Sequence, residues 1–115
     1  MRPEQREAVD TFVAQVRQHY GVRLHGIFAF GSRARHEATE QSDLDIAIVL
    51  DDDEWDFWAE KRRLAGLSYE ALIDQDIYIQ SWPIKRSVWN DPLQHRNPRF
   101  IENMRRDACD VRDAA

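Results

Sequence analysis

Apolar residues recur at helical spacing near the start of the chain. Val9, Phe12, Val13, Val16 and Tyr20 fall on one side of a 3.6-residue repeat. Pro3 suits a first turn and Gly21 the position just past a helix end, so a helix is predicted over 3–20. The period then changes. Residues 22–30, "VRLHGIFAF", read as a strand that ends at Gly31, and a short polar stretch with helical character at 32–37 leads to a second strand at 43–50. Trp55, Trp58, Leu64, Leu67 and Ala71 predict a helix over 54–71, with Asp52 or Asp53 as its N-cap. Residues 75–82, "QDIYIQSW", alternate as a third strand does, and Pro83 ends it. "NPRFIENMRRDAC" reads as a last helix with Asn97 as N-cap and Pro98 in the first turn. The order α-β-β-α-β-α implies an α+β (mixed α/β) fold, a small mixed sheet with helices packed on it.

Composition narrows the picture. A chain of 115 residues is the size of one domain, 1–115, and too short for a catalytic domain plus a separate substrate-binding one. Its 43% hydrophobic content is enough for a core. With 16 Lys+Arg against 21 Asp+Glu the net charge is −5, so the chain as a whole does not attract a nucleic-acid backbone, and no direct nucleic-acid binding is expected. The single cysteine, Cys109, forms no internal disulfide and is no metal site by itself. The stretch "MRPEQREAVD" lacks the apolar core of a signal peptide. The longest clean apolar run is Ile46–Leu50, far short of a bilayer span, so the expected location is cytoplasmic.

The chemistry concentrates in "FAFGSRARHEATEQSDLDIAIVL", Phe28–Leu50. Side chains on a strand alternate, so Asp43 and Asp45 point one way, with Ala47 and Val49 behind them, while Leu44, Ile46, Ile48 and Leu50 line the other face. Two neighbouring carboxylates at the head of an apolar strand repel each other and resist desolvation. A divalent cation makes the pair tolerable, and hard oxygen ligands of this kind suit Mg²⁺. Taken alone, the same residues read as a turn cap and an exposed strand end. Gly31-Ser32 alters that reading: glycine permits close backbone approach, serine offers a hydroxyl, and free backbone N–H groups after a strand can face an anion. No G-x-x-x-x-G-K-[ST] loop occurs.

The run "GSRARHEATEQSDLD", G-S then ten residues then D-x-D, resembles the signature of the nucleotidyltransferase superfamily related to DNA polymerase beta. "FGSRAR", "IYIQSWPI", "NPRFIENMRRD" and the small size look like its minimal nucleotidyltransferase branch, whose members often serve as antitoxin partners of small helical HEPN proteins. The resemblance implies that Gly31 and Ser32 hold the β- and γ-phosphates of ATP, assisted by Arg33 and less so by Arg35. It implies that Asp43 and Asp45 bind Mg²⁺, and that AMP passes to a protein hydroxyl, in related systems a tyrosine of a HEPN toxin, in a hetero-oligomeric complex. It also implies a third catalytic and metal carboxylate on the neighbouring strand: Asp76, with Asp74 or no third acid as the other readings and Tyr78 the residue at that place in the last. His36 departs from the pattern, standing where this branch often has glycine. A turnover-deficient member that neutralises its partner by binding alone is the alternative.

The remaining candidates read as structural. His25, His36 and His95 lie far apart, and His19 sits on the first helix, all without metal-ligand spacing. Most of Trp55, Trp58, Trp82 and Trp89 are expected in the core, with Trp82 and Trp89 candidates for a partner surface. Arg96, Arg99, Arg105 and Arg106 make the C-terminal part locally basic, which reads as a solvated face.

Overall fold

The computed structural model describes residues 1–115. Helix α1 (Pro3–Tyr20) begins with proline in its first turn and ends at Gly21, whose φ of +54° is a conformation glycine adopts without penalty. A single 3₁₀ turn leads into strand β1 (Leu24–Phe30). Strand β2 (Leu44–Leu50) pairs antiparallel with β1, Ile27 opposite Ile48 and Phe30 opposite Asp45. Helix α2 (Phe57–Gln75) then crosses over to strand β3 (Ile79–Lys85), which lies parallel to β2 with Leu44 beside Ile79 and Asp45 beside Gln80. Two short turns of helix, α3 (Arg86–Asn90) and a 3₁₀ turn at 92–94, precede α4 (Pro98–Asp107). The sheet order is β1-β2-β3.

Because β2 is central, its two faces are both covered, which is why its sequence is a continuous apolar run. Leu44, Ile46, Ile48 and Leu50 join Val9, Phe12 and Val16 of α1 and Leu64 and Ala71 of α2 in one core. Ala47 and Val49 pack on the opposite side with Phe30, Ile84, and Ile101 and Met104 of α4. The two helices of the larger core are joined by a buried polar contact: the Tyr20 hydroxyl donates to Glu60 Oε2 at 2.7 Å. Burial, more than this bond, pushes the Tyr20 phenol pKa well up.

Both sheet edges are closed to further strands. Ala29 and Cys109 exchange backbone hydrogen bonds of 2.9 Å, covering the outer side of β1. On β3 the Lys61 ammonium caps the Ser81 carbonyl, and Pro83, on the same outward side two residues on, has no N–H to offer.

The structure corrects several details of the sequence reading. Strand β3 starts at Ile79 and runs through Pro83 to Lys85, because on an edge strand the missing N–H costs no ladder bond. Helix α2 is capped by Asp56, whose carboxylate accepts from the Ala59 amide at 2.8 Å, not by Asp52 or Asp53. Residues 32–36 form turns and no helix. Of the tryptophans, Trp55, Trp82 and Trp89 pack against the cores while partly exposed, Trp89 stacking on Phe28 at 5.3 Å and Trp82 meeting Phe100 edge-on at 5.2 Å, whereas Trp58 is 63% exposed. No helix is long and apolar enough to cross a membrane.

Candidate active site

Strand β1 delivers Gly31 to the side of the β2 head, and the antiparallel register sets Phe30 against Asp45. Gly31 adopts φ +76°, and a Cβ placed there would lie 2.5 Å from Asp45 Oδ2. The absence of a side chain is therefore required twice over, by the backbone and by the carboxylate that abuts it. After Gly31 the chain turns back on itself: Arg35 N–H donates to Gly31 C=O at 3.1 Å and Glu37 N–H to Ser32 C=O at 2.9 Å. The amides of Ser32, Arg33 and Ala34 donate to no backbone acceptor, leaving three donors in one turn beside the carboxylates. Such a nest of N–H groups favours an anion.

Asp43 is exposed, just ahead of β2, and Asp45 is half-buried within it. Burial, reinforced by the charge of Asp43, raises the Asp45 pKa to about 6, against the opposing influence of Lys61 and Arg35. A half-buried carboxylate that resists ionisation beside a second one fits a hard divalent cation, since Mg²⁺ is commonly held by one or two carboxylates plus waters and substrate phosphates.

The arginines exchange the roles expected of them. Arg33 is 3% exposed, and its guanidinium donates to the carbonyls of Ser42 (2.9 Å), Ala115 (2.8 Å) and Glu40 (3.3 Å). Engaged in this way, it clamps the 38–42 loop behind Asp43 and is not presented to a phosphate. Desolvation lowers its pKa, while the nearby Asp43 charge favours the cation. Arg35 stays partly exposed, pairs with Asp107 of α4 at 2.7 Å and with Glu37 at 3.2 Å, and acts on Asp45. Lys61 is the second cation acting on Asp45, and sequence reading missed it because it stands on α2 in the run "EKRRL". It reaches over the β3 edge to place its ammonium 4.1 Å from the Trp82 ring centre. Burial pulls the Lys61 pKa down, and Asp45 works the other way. No sequence periodicity would have revealed this pairing, which is made by the crossover of α2.

Asp76 is not gathered with Asp43 and Asp45. It closes α2 in a left-handed conformation (φ +53°) and lines a cavity of about 410 Å³ with Arg2, Gln5, Arg33 and Glu40. The alternation that would have aimed it at the site fails because β3 has not yet begun. Asp74 lies in the last turn of α2, against α1. No group of three acidic, His or Cys side chains that could hold a metal ion is present. On β3 the residue beside Asp45 is Gln80, and Tyr78 adjoins the level of Asp43, its carbonyl accepting from the Leu44 amide at 2.9 Å. His36, at φ +58°, adopts a left-handed backbone that favours glycine.

A turn of three free amides, a flanking carboxylate pair and a mixed three-stranded sheet between helix layers together fit a nucleotidyltransferase. Residues 9–107 match the family described as "Nucleotidyltransferase domain", and the chain belongs to that family, within the polymerase beta-like superfamily. It is 33% identical over 91 residues to a protein of Methanocaldococcus jannaschii named "Putative protein adenylyltransferase MJ0604", an alignment covering 79% of this chain and 87% of that one.

Proposed function

We propose that the protein transfers AMP from ATP to a hydroxyl of another protein, with Mg²⁺ held by Asp43 and Asp45, and that the acceptor is a HEPN-type toxin which the modification neutralises. Support comes from the family, from the name of the archaeal relative, and above all from the contact between Asp45 and Gly31. That contact leaves no room for a side chain between the phosphate turn and the carboxylate. A triphosphate on the amides of Ser32, Arg33 and Ala34 would lie beside the pair, and Arg35 would balance its charge only by leaving Glu37 and Asp107. A bound Mg²⁺ would supply stabilisation of the charge on the attacking and leaving oxygens. The chain's own part is positioning and preorganised electrostatics. Asp76 enters this reading only as a carboxylate that would have to move to join the site.

Incubation with labelled ATP, Mg²⁺ and the product of the adjacent gene tests the proposal. Label on that neighbour, lost in Asp43→Ala, supports it; absence of label from protein with intact nucleotide binding overturns it. The presence of two gathered carboxylates rather than three favours one second reading, neutralisation by binding alone. It requires Asp43→Ala to neutralise the partner as fully as the unaltered chain.

A further inference from the structure

We propose that Tyr78 is an acceptor for the chain's own transfer reaction, so that the protein adenylylates itself at this phenol. The inference rests on the nucleotidyltransferase reading and adds a substrate to the same site. In an in-line displacement the attacking oxygen and the departing pyrophosphate lie on opposite sides of the α-phosphorus. The amides that would hold the outer phosphates belong to the turn after β1, on one flank of β2. The attacking hydroxyl therefore comes from the other flank, where β3 lies.

Only a few residues of β3 are candidates. Gln80 stands beside Asp45 and Trp82 beside Ala47, and neither carries a hydroxyl. Ser81 is 3% exposed, its Oγ buried and without a hydrogen-bond partner, on the face turned away from the aspartates. Tyr78 differs on every count. In the parallel register it is next to the position of Asp43, one strand spacing away, about 4.8 Å between backbones. It shares the sheet face of Gln80 and Asp45, is 44% exposed, and its phenol makes no hydrogen bond within the chain. A tyrosine side chain is longer than an aspartate's, and the proposal requires its oxygen to reach a phosphate held at the carboxylates. The step balances: the phenolic oxygen forms a bond to the α-phosphorus, the α–β anhydride bond breaks, pyrophosphate departs, and the phenolic proton passes to water.

The test uses the full chain without a partner. After incubation with ATP and Mg²⁺, and separately as purified from cells, peptide mass mapping should find one adenylyl group on Tyr78. Tyr78→Phe should reduce incorporation at least about tenfold, while Tyr69→Phe, altering another exposed tyrosine, leaves it unchanged. Calorimetry with a non-hydrolysable ATP analogue should give Tyr78→Phe an affinity within about twofold of the unaltered chain. Label on any other residue overturns the proposal, as does an affinity loss of about tenfold in Tyr78→Phe, which would make the ring part of the nucleotide pocket. An unlabelled chain beside a labelled partner overturns it while leaving the parent reading intact. An analogue that does not bind at all brings down both.

Discussion

At the residue scale the site depends on what Gly31 lacks. Gly31→Ala would push a methyl group into Asp45 Oδ2 and strain a backbone at φ +76°. A stability loss of about 1–2 kcal/mol, read by denaturant unfolding, and a loss of Mg²⁺-dependent nucleotide binding by calorimetry are expected. Asp45 supplies a pH signature. Its folded pKa, about 6, lies above the ordinary value, so the favourable contribution of its protonated form is complete below about pH 4 and is lost as pH rises through 6. Asp45→Asn should therefore stabilise the metal-free protein at pH 7–8 by on the order of 1 kcal/mol after solvent screening, and by nothing near pH 3.5. If Asp45 holds Mg²⁺ as proposed, added Mg²⁺ should reverse the order, since an amide in its place is a poorer ligand for the ion. Unfolding midpoints across this pH range check both statements.

At the scale of elements, α1 and α2 are held in register by more than their apolar faces. Tyr20→Phe would leave Glu60, 6% exposed, with its Arg63 contact of 3.5 Å alone. A cost of about 1–3 kcal/mol is expected, the price of an under-satisfied buried carboxylate, with no change in nucleotide affinity. Thermal unfolding followed by circular dichroism measures the first, calorimetry the second. The edge of β3 shows the opposite economy of means: Pro83, which read from sequence as the end of a strand, sits inside one because its missing N–H faces outward.

Across the whole molecule, Arg33 ties together segments distant in sequence. It joins the turn after β1 to the 38–42 loop and to Ala115, whose own N–H returns to the Arg33 carbonyl at 3.0 Å. Arg33→Met should lower stability by about 1–3 kcal/mol, because three part-buried carbonyls lose a charged donor. Nucleotide affinity measured well below the unfolding midpoint should fall only modestly; were Arg33 a phosphate ligand, affinity would fall steeply at nearly constant stability. Arg35, paired with Asp107, links the same turn to α4.

Much of this architecture is local and was legible in the chain. A 3.6-residue repeat located α1, because burying one face of a helix imposes its repeat on the sequence, while a continuous apolar run marked β2, buried on both faces, and the Asn97-Pro98 start marked α4. The G-S and D-x-D spacing pointed to two segments that the fold sets side by side, Gly31 against Asp45, because a turn and a strand head are short segments whose chemistry is carried by adjacent residues. What only the tertiary structure decided are the relations between segments. The parallel register of β3 put Gln80 beside Asp45 and Tyr78 at the level of Asp43, while a left-handed residue at the end of α2 carried Asp76 elsewhere. The crossover of α2 brought Lys61 over Trp82, and the folding of distant loops around Arg33 buried a cation that composition alone would have left in solvent. Each is a contact between segments far apart in sequence, set by packing and hydrogen-bond satisfaction in three dimensions, and no one-dimensional repeat encodes it.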